Sequence, residues 1–386
     1  LIDEDKVFLI FNNTGTAHTA AILPLLAETQ TVAFGPVTGA SAFREKFNRY
    51  LFHVRASYAN EAQRIAYQLR TTGITRVVVF YQDDVFGKTL LAEVRAAAAS
   101  EGLPLAAEVR VDSKSPDFKA AADAAMKAQP QAVIMGTAGT TFPAFVKATR
   151  EAGGRPVFFG FSVASVEVIN RELGPSAHGI VLAQIMPSLK NVSIPVVMEY
   201  RQLLAARSPG AEPSASQFEG FVHARLLVEG LRRAGRKLST DGFIRAMESI
   251  GELSLGRFVA KYSPQAHNGS SYVELAIIDH TGHLRYRTSG RVVKPAVPAA
   301  CTDLGCRPAR DRRHAEGYGL TPMPERQVAR APGPTLPAWK GRPRSPALDR
   351  PTCARTASNA CWATTWRRPS CRRICPTMRW FRSPSS

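Results

Sequence analysis

Short apolar runs alternate with longer amphipathic segments over about the first two-thirds of the chain. Residues 76–81 (RVVVFY) are rich in β-branched and aromatic side chains and predict a buried strand, whereas residues 16–28 place apolar side chains on one face of a helix. Strands are predicted at residues 6–11, 31–34, 51–54, 76–81, 105–111, 132–135, 157–160 and 179–185. Helices are predicted at residues 16–28, 60–71, 88–101, 117–128, 142–152 and 163–173. This alternation predicts an α/β fold with parallel sheets flanked by helices.

The pattern changes after residue 190. Three helices are predicted in succession, at residues 195–207, 214–234 and 240–249. Two further strands, at residues 257–262 and 271–279, are expected to pair antiparallel around a loop that contains His267, Asn268 and Gly269.

Small hydroxyl residues and glycines follow several of the predicted strands. Thr14, Gly15 and Thr16 come after the first strand, and Thr137 and Ala138 come after the strand at residues 132–135. Ligands of open α/β sheets bind at the carboxyl ends of the strands, and free amides at helix starts bind anions. These turns are therefore candidate sites for a ligand carboxylate, although each residue would serve equally well as an ordinary helix cap.

A serine hydrolase is the enzymatic alternative. Residues 160–164 (GFSVA) lie between a predicted strand and a helix, and G-x-S-x-A approximates a nucleophile elbow with Ser162 as the nucleophile. A catalytic His would have to follow Ser162 in the chain. None of the later histidines follows a strand with a neighbouring acid, so we favour a binding-loop serine and a protein that is not an enzyme.

The sequence predicts no cofactor and no metal. The acidic pair Asp83 and Asp84 has neither a His nor a third carboxylate nearby, so a metal site is not expected there. Residues 87–89 (GKT) resemble the end of a phosphate-binding loop, but Gln82 occupies the position where that loop needs a glycine.

The net charge of +19 is concentrated at the end of the chain. From Ser289 onward there are 19 Lys and Arg against five Asp and Glu, and all six Cys and all four Trp lie there as well. Proline-rich sequence without periodicity predicts a disordered tail at residues 288–386, and the abrupt change in Cys and Trp usage suggests out-of-frame translation. A zinc module and a nucleic-acid or membrane tail around Trp366 are the alternatives; we expect no nucleic-acid partner. No apolar run reaches the length of a membrane span.

Several motifs in the first 287 residues resemble a known family. They are FNNTGT (11–16) with PLL (24–26), FGPVTGA (34–40), YQDDVFG (81–87), FEGF (218–221) with RAG (233–235), and YSP (262–264) with HNGS (267–270). In this order and spacing they are similar to the periplasmic, leucine-type branched-chain amino-acid binding proteins of ABC transporters, which have the type I solute-binding fold.

The resemblance implies two lobes joined by three crossing strands, with a ligand in the cleft between them. Residues 1–55 and 195–250 would form the first lobe, and residues 56–187 and 251–287 the second. The chain would start after the family's first strand–helix unit and its signal peptide. The expected role is periplasmic capture of an amino acid or other small carboxylate for an ABC transporter permease. A ligand-sensing regulatory domain of the same fold is the alternative.

Roles for single residues follow from the same resemblance. Thr14, Gly15 and Thr16 match one loop that holds the ligand carboxylate, and a second such loop is matched by Thr38, Gly39 and Ala40. Phe86 matches an aromatic residue that packs on the ligand from the second lobe. Ala138 lies near a position that is aromatic in the amino-acid binders, and its small side chain would leave a larger pocket.

Ser162 is the main departure from the family pattern. It lies where the amino-acid binders have an acid that pairs with the ligand ammonium. Because a buried ammonium without a counter-charge is costly, we expect a ligand carboxylate that lacks a free α-amine.

Overall fold

The computed structural model describes residues 2–286. The predicted tail at residues 288–386 lies outside the described residues. The helices are α1 (Thr16–Thr29), α2 (Ala42–Glu45), α3 (Tyr58–Thr71), α4 (Val85–Ser100), α5 (Phe118–Lys127), α6 (Thr141–Glu151), α7 (Val166–Leu173), α8 (Pro195–Arg207), α9 (Ala215–Ala234) and α10 (Thr240–Glu248). The strands are β1 (Leu9–Phe11), β2 (Val32–Phe34), β3 (Leu51–Phe52), β4 (Val77–Gln82), β5 (Leu105–Val111), β6 (Ala132–Gly136), β7 (Val157–Gly160), β8 (Val181–Gln184), β9 (Gly251–Leu255), β10 (Phe258–Ser263), β11 (Ala266–Gly269), β12 (Glu274–Ile278) and β13 (Leu284–Tyr286).

The strands form three sheets. A small parallel sheet has the order β1-β2-β3, and a large sheet has the order β13-β12-β8-β7-β6-β4-β5. In the large sheet β8, β7, β6, β4 and β5 are parallel, and β12 and β13 add an antiparallel edge. The third sheet, β11-β10-β9, is antiparallel. The predicted α/β architecture with helix-flanked parallel sheets is therefore confirmed.

The large sheet is buried on both faces. Along β4, Val77 and Val79 belong to one apolar core, whereas Val78 and Phe80 belong to the other. Successive side chains of a strand point to opposite faces, so a central strand covered on both sides reads as a continuous apolar run. This explains why residues 76–81 could be recognised from the sequence.

The small sheet shares its core with the third sheet. Phe34 of β2 and Phe52 of β3 pack with Phe218 and Phe243 of the helices and with Tyr262 of β10. The rings of Phe52 and Tyr262 lie 5.9 Å apart at 61°. Strands β9–β11 pack with the small sheet, whereas β12 and β13 join the large one.

The predicted hairpin between the last two strands is wrong. β10 pairs with β9 and β11, and β12 pairs with β8 and β13. The stretch expected to be a loop is mostly strand β11, and it lies against the chain that leaves β3: the His53 N–H donates to the His267 carbonyl at 2.8 Å, and the Ser270 N–H to Val54 at 3.0 Å. A Cβ at Gly269 would lie 2.4 Å from the His53 carbonyl oxygen, so only glycine fits this approach.

Three stretches of chain connect the small sheet and its neighbours with the large sheet. They are the links from β3 to α3, from β8 to α8 and from β11 to β12. The first and third run side by side through the hydrogen bonds of His53 and Val54. The lobe limits at the residues given above remain a prediction. Among residues 2–286, no helix combines the length and apolarity that crossing a membrane requires.

Candidate functional site

The turn after β1 meets the turn after β2. The Gly15 N–H donates to the Val37 carbonyl at 3.2 Å, and Thr14 forms an isolated parallel bridge with Val37. The φ of +103° at Gly15 is one that side chains with a Cβ rarely adopt. Thr16, the first residue of α1, is buried, and its Oγ1 lies 2.9 Å from the Oγ1 of Thr38. Hydroxyls of the two predicted turns are therefore in direct contact.

The second turn is held by the start of α3. The Tyr58 N–H donates to the Gly39 carbonyl at 2.6 Å, and the Ala40 N–H lies 3.4 Å from Thr38 Oγ1. A Cβ at Gly39 would lie 2.6 Å from the Tyr58 ring, so the close packing of turn and ring requires glycine. Burial raises the pKa of Tyr58, which keeps the phenol neutral.

An aromatic cluster adjoins this turn. The rings of Tyr58 and Phe86 lie 5.9 Å apart at 70°, and those of Tyr58 and Phe161 lie 5.9 Å apart at 83°. Phe86 stands in the first turn of α4, whose N-cap is Asp84: the Gly87 N–H donates to Asp84 Oδ1 at 2.8 Å. The aromatic residue predicted from the large-sheet side of the chain is thus brought next to the residues of the small-sheet turns.

Thr137 and Ala138 lie apart from this group. They follow β6 at the carboxyl edge of the large sheet, where the Ala138 N–H lies 3.4 Å from Gln82 Oε1. Thr137 is fully buried, and its Oγ1 has no hydrogen-bond partner. No hydrogen bond within the described residues joins either of them to Thr16, Thr38 or Ser162.

Ser162 belongs to a buried charge cluster that the sequence did not reveal. Its backbone N–H donates to Glu61 Oε2 at 2.7 Å, and its hydroxyl donates to Glu61 Oε1 at 2.9 Å. The Arg55 Nη2 donates to the Ser162 Oγ and lies 3.6 Å from Glu61 Oε1. Arg55 and Glu61 are essentially inaccessible, with side-chain exposures of 1% and 0%.

The cluster extends to α9. Arg55 Nη1 lies 3.3 Å from Oε1 of Glu219, whose side chain is 13% exposed. The same Oε1 lies 3.6 Å from Nε2 of His223, and His223 Nδ1 lies 2.6 Å from Oδ1 of Asn12 at the end of β1. One guanidinium, on the link between β3 and α3, therefore connects a helix that packs on the small sheet with a loop of the large sheet.

Burial controls the ionisation of this cluster. It raises the pKa of Glu61, and Arg55 and the two Ser162 donors counteract the increase. Burial lowers the pKa of His223 to about 4, because a charged imidazole would lose its hydration there. The ring is therefore neutral at pH 7, and Arg55 is the cation that faces the two carboxylates.

The sequence contained weak signals for the three charged residues Arg55, Glu61 and Glu219. Arg55 interrupts an apolar segment, FHVRA, that leads out of β3. Glu61 lies in the first turn of α3, where an acid is favoured by the helix dipole alone. Glu219 belongs to the FEGF motif, which we used only to recognise the family.

The contacts of Ser162 are not those of a hydrolase nucleophile. Its hydroxyl donates to a carboxylate and accepts from a guanidinium, and no histidine among residues 2–286 forms a hydrogen bond with it. His223, the histidine of this cluster, is directed to Asn12 and Glu219 instead. A nucleophilic serine needs a base within hydrogen-bond reach.

The acidic pair after β4 has structural contacts. Asp83 pairs with Lys88 at 2.7 Å and with Arg110 at 3.2 Å, and Asp84 caps α4. In the described part of the chain, no group of three or more His, Cys, Asp or Glu residues is arranged to hold a metal ion.

The fold is that of a two-lobed α/β protein with parallel sheets flanked by helices. Residues 1–282 match the family model described as periplasmic binding protein. The chain therefore belongs to the periplasmic binding protein family, whose members are extracytoplasmic substrate-binding proteins of type I fold. No curated protein is significantly similar to it.

Solved structures agree with this assignment. A possible leucine/isoleucine/valine-binding protein from Rhodopirellula baltica is 26% identical, with a TM-score of 0.69 over 74% of this chain and 79% of that one. A substrate-binding periplasmic protein from Ralstonia solanacearum is 27% identical, with a TM-score of 0.68 over 74% of this chain and 82% of that one. A leucine binding protein from Thermotoga maritima, 19% identical, shares the fold, with a TM-score of 0.64 over 74% of this chain and 80% of that one.

Proposed function

We propose that this protein captures a small carboxylate or amino-acid-like solute outside the cytoplasm and delivers it to an ABC-type importer. The observation that carries the proposal is the contact of Thr16 with Thr38 beside the aromatic pair of Tyr58 and Phe86. Hydroxyls and free amides at the start of α1 suit a carboxylate, and the rings suit the apolar part of a ligand.

The ligand would bind between the predicted lobes. Thr14, Gly15, Thr16, Thr38, Gly39 and Ala40 would hold the carboxylate from the small-sheet side. From the large-sheet side, the ligand would meet Phe86, Thr137, Ala138 and Ser162. Closing two lobes over a ligand excludes water and strengthens each polar contact, so binding needs no covalent chemistry.

The charge cluster supports a ligand without a free α-amine. The two acids of the cluster, Glu61 beside Ser162 and Glu219 on α9, both already face Arg55. An ammonium at Ser162 would lie beside the guanidinium, and it would have to compete with Arg55 for these carboxylates. A carboxylate that carries a neutral group at this position avoids that cost.

Ligand-induced thermal stabilisation of the purified full chain tests the proposal. A panel of aliphatic and aromatic carboxylates, each beside its uncharged primary amide, separates carboxylate recognition from apolar binding. At a ligand concentration about 100 times Kd, binding adds about 2.7 kcal/mol of stability, which corresponds to a rise in Tm of about 4–5 °C for a folded region of this size.

We expect at least one carboxylate to raise Tm by that amount and its amide to have no effect. If amides and carboxylates stabilise equally, or if no carboxylate stabilises at millimolar concentration, the proposed ligand class is wrong. Ester hydrolysis that disappears in Ser162→Ala would instead favour the hydrolase alternative.

A further inference from the structure

The surroundings of Ser162 fix the direction of its hydrogen bonds. A serine hydroxyl has one O–H donor and two lone pairs. Both oxygens of Glu61 are engaged by Ser162, Oε2 by the backbone N–H and Oε1 by the hydroxyl. Both donors of Ser162 are therefore used inside the protein.

Neither neighbour can reverse this arrangement. Arg55 has only donors, and its Nη2 occupies one lone pair of the Ser162 Oγ. Glu61 receives an N–H and an O–H on its two oxygens and has a guanidinium 3.6 Å away, a set of donors that suits the ionised carboxylate. The remaining lone pair of Ser162 Oγ is the part of this hydroxyl left for a ligand, and it can only accept.

The charge at this point limits which donor fits. The guanidinium of Arg55 contacts the same oxygen, so an ammonium placed there would meet a cation of equal charge. A second carboxylate would find no free donor on Ser162. A neutral O–H or N–H group satisfies the oxygen without adding charge beside Arg55.

We propose that Ser162 accepts a hydrogen bond from a neutral donor next to the ligand carboxylate, so that the preferred ligands are 2-hydroxy carboxylates. This inference rests on the proposed function, because it requires a carboxylate ligand in the cleft that Ser162 borders. Ser162 is half-buried two residues after the end of β7, and it contacts the inaccessible Arg55 and Glu61.

Matched ligand triplets test the proposal. Each triplet keeps one carbon skeleton and changes only the substituent at C2: 2-hydroxy-4-methylpentanoate, 4-methylpentanoate and leucine form one, and phenyllactate, 3-phenylpropanoate and phenylalanine another. Isothermal titration calorimetry on the full chain at pH 7 gives Kd for each. We expect the hydroxy acid to bind about tenfold more tightly than the unsubstituted acid, as one net hydrogen bond implies, and the amino acid to bind most weakly.

The outcomes separate this inference from the proposed function. Equal affinity of hydroxy and unsubstituted acids in a triplet that binds would overturn the inference and leave carboxylate capture intact. Tightest binding of the amino acid would overturn it as well. If no carboxylate of either triplet or of the wider panel binds, the proposed ligand class fails and this inference with it.

Three variants of one loop connect the preference to the hydroxyl. Ser162→Ala should reduce the hydroxy-to-unsubstituted affinity ratio to about one, and Ser162→Thr, which restores a hydroxyl, should recover it. Ser165→Ala removes a hydroxyl that caps α7 and should leave the ratio unchanged. Because the readout is a ratio within each variant, a general loss of stability cannot imitate the result. An unchanged ratio in Ser162→Ala would refute the assignment.

Discussion

Arg55 is the residue whose removal should be most costly. Its guanidinium is inaccessible and lies 3.6 Å from Glu61 and 3.3 Å from Glu219. It also lies 5.8 Å from the centre of the Tyr58 ring. Arg55→Met keeps the apolar stem of the side chain and removes the charge, leaving the carboxylates of Glu61 and Glu219 without their shared cation.

The size of the effect follows from the burial of the pair. Breaking a buried ion pair by removing one partner costs about 3–5 kcal/mol, because an uncompensated charge remains. Glu61 keeps the two Ser162 donors, which limits its share of the loss. We therefore expect Arg55→Met to lower the free energy of unfolding by about 3–5 kcal/mol at pH 7.

The loss should depend on pH in a definite direction. Without Arg55 the folded-state pKa of Glu61, already raised by burial, rises further above its unfolded value. The penalty is then complete above the raised pKa and disappears as the pH falls toward the unfolded value near 4.3. The difference between wild type and variant should therefore be smaller at pH 4.5 than at pH 7.

Urea denaturation of both proteins at the two pH values measures this difference. Arg95→Met is the matched control, because Arg95 is 57% exposed and pairs with Glu108 at the surface, where ion pairs contribute little. The reasoning is refuted if Arg55→Met costs no more than Arg95→Met, or if its cost does not shrink at pH 4.5.

Three further perturbations have definite expected outcomes. Burial lowers the pKa of His223 from 6.5 to about 4, so the unfolded chain takes up a proton between these pH values and the folded chain does not. The free energy of unfolding of the wild type should therefore fall by about 3 kcal/mol through this residue as the pH falls from 6.5 to 4. Urea titrations should show a smaller loss for His223→Gln over the same interval. Gly39→Ala should lower Tm by several degrees because its Cβ would overlap Tyr58, and an unchanged melting curve would contradict the described turn. Gly220 lies in α9, and an added Cβ there would have no neighbour closer than 3.8 Å, so Gly220→Ala should leave Tm unchanged or raise it slightly.

Local patterns were enough to predict most elements. Helix α8 and strands β5 and β7 begin and end at the predicted residues, because Pro195 marks the start of the helix and turn residues flank both strands. The strand predicted at residues 51–54 ends at Phe52, since the chain there leaves the sheet as a crossing link. The apolar pattern cannot separate the strand from the link that follows it, because both are buried.

Long-range pairing could not be predicted in the same way. β12 pairs with β8, which lies far away in the chain, and nothing in either strand names its partner. The same holds for the site: Arg55 and Ser162 are separated by 107 positions, and Glu61 and Ser162 by 101. The sequence showed a serine, Ser162, at a position where the resembling family has an acid. The structure places an acid from α3, Glu61, against Ser162 and pairs that acid with Arg55.

The most direct test of the central claim is calorimetric titration of one ligand against variants on the two sides of the proposed site, α1 and α4. With the tightest carboxylate of the panel, we expect one binding site per chain. Thr16→Val on α1 and Phe86→Leu on α4 should each weaken binding about fivefold or more, whereas Thr29→Val at the far end of α1 should have no effect. Binding that is unaffected by either Thr16→Val or Phe86→Leu would place the ligand elsewhere and contradict capture between α1 and α4.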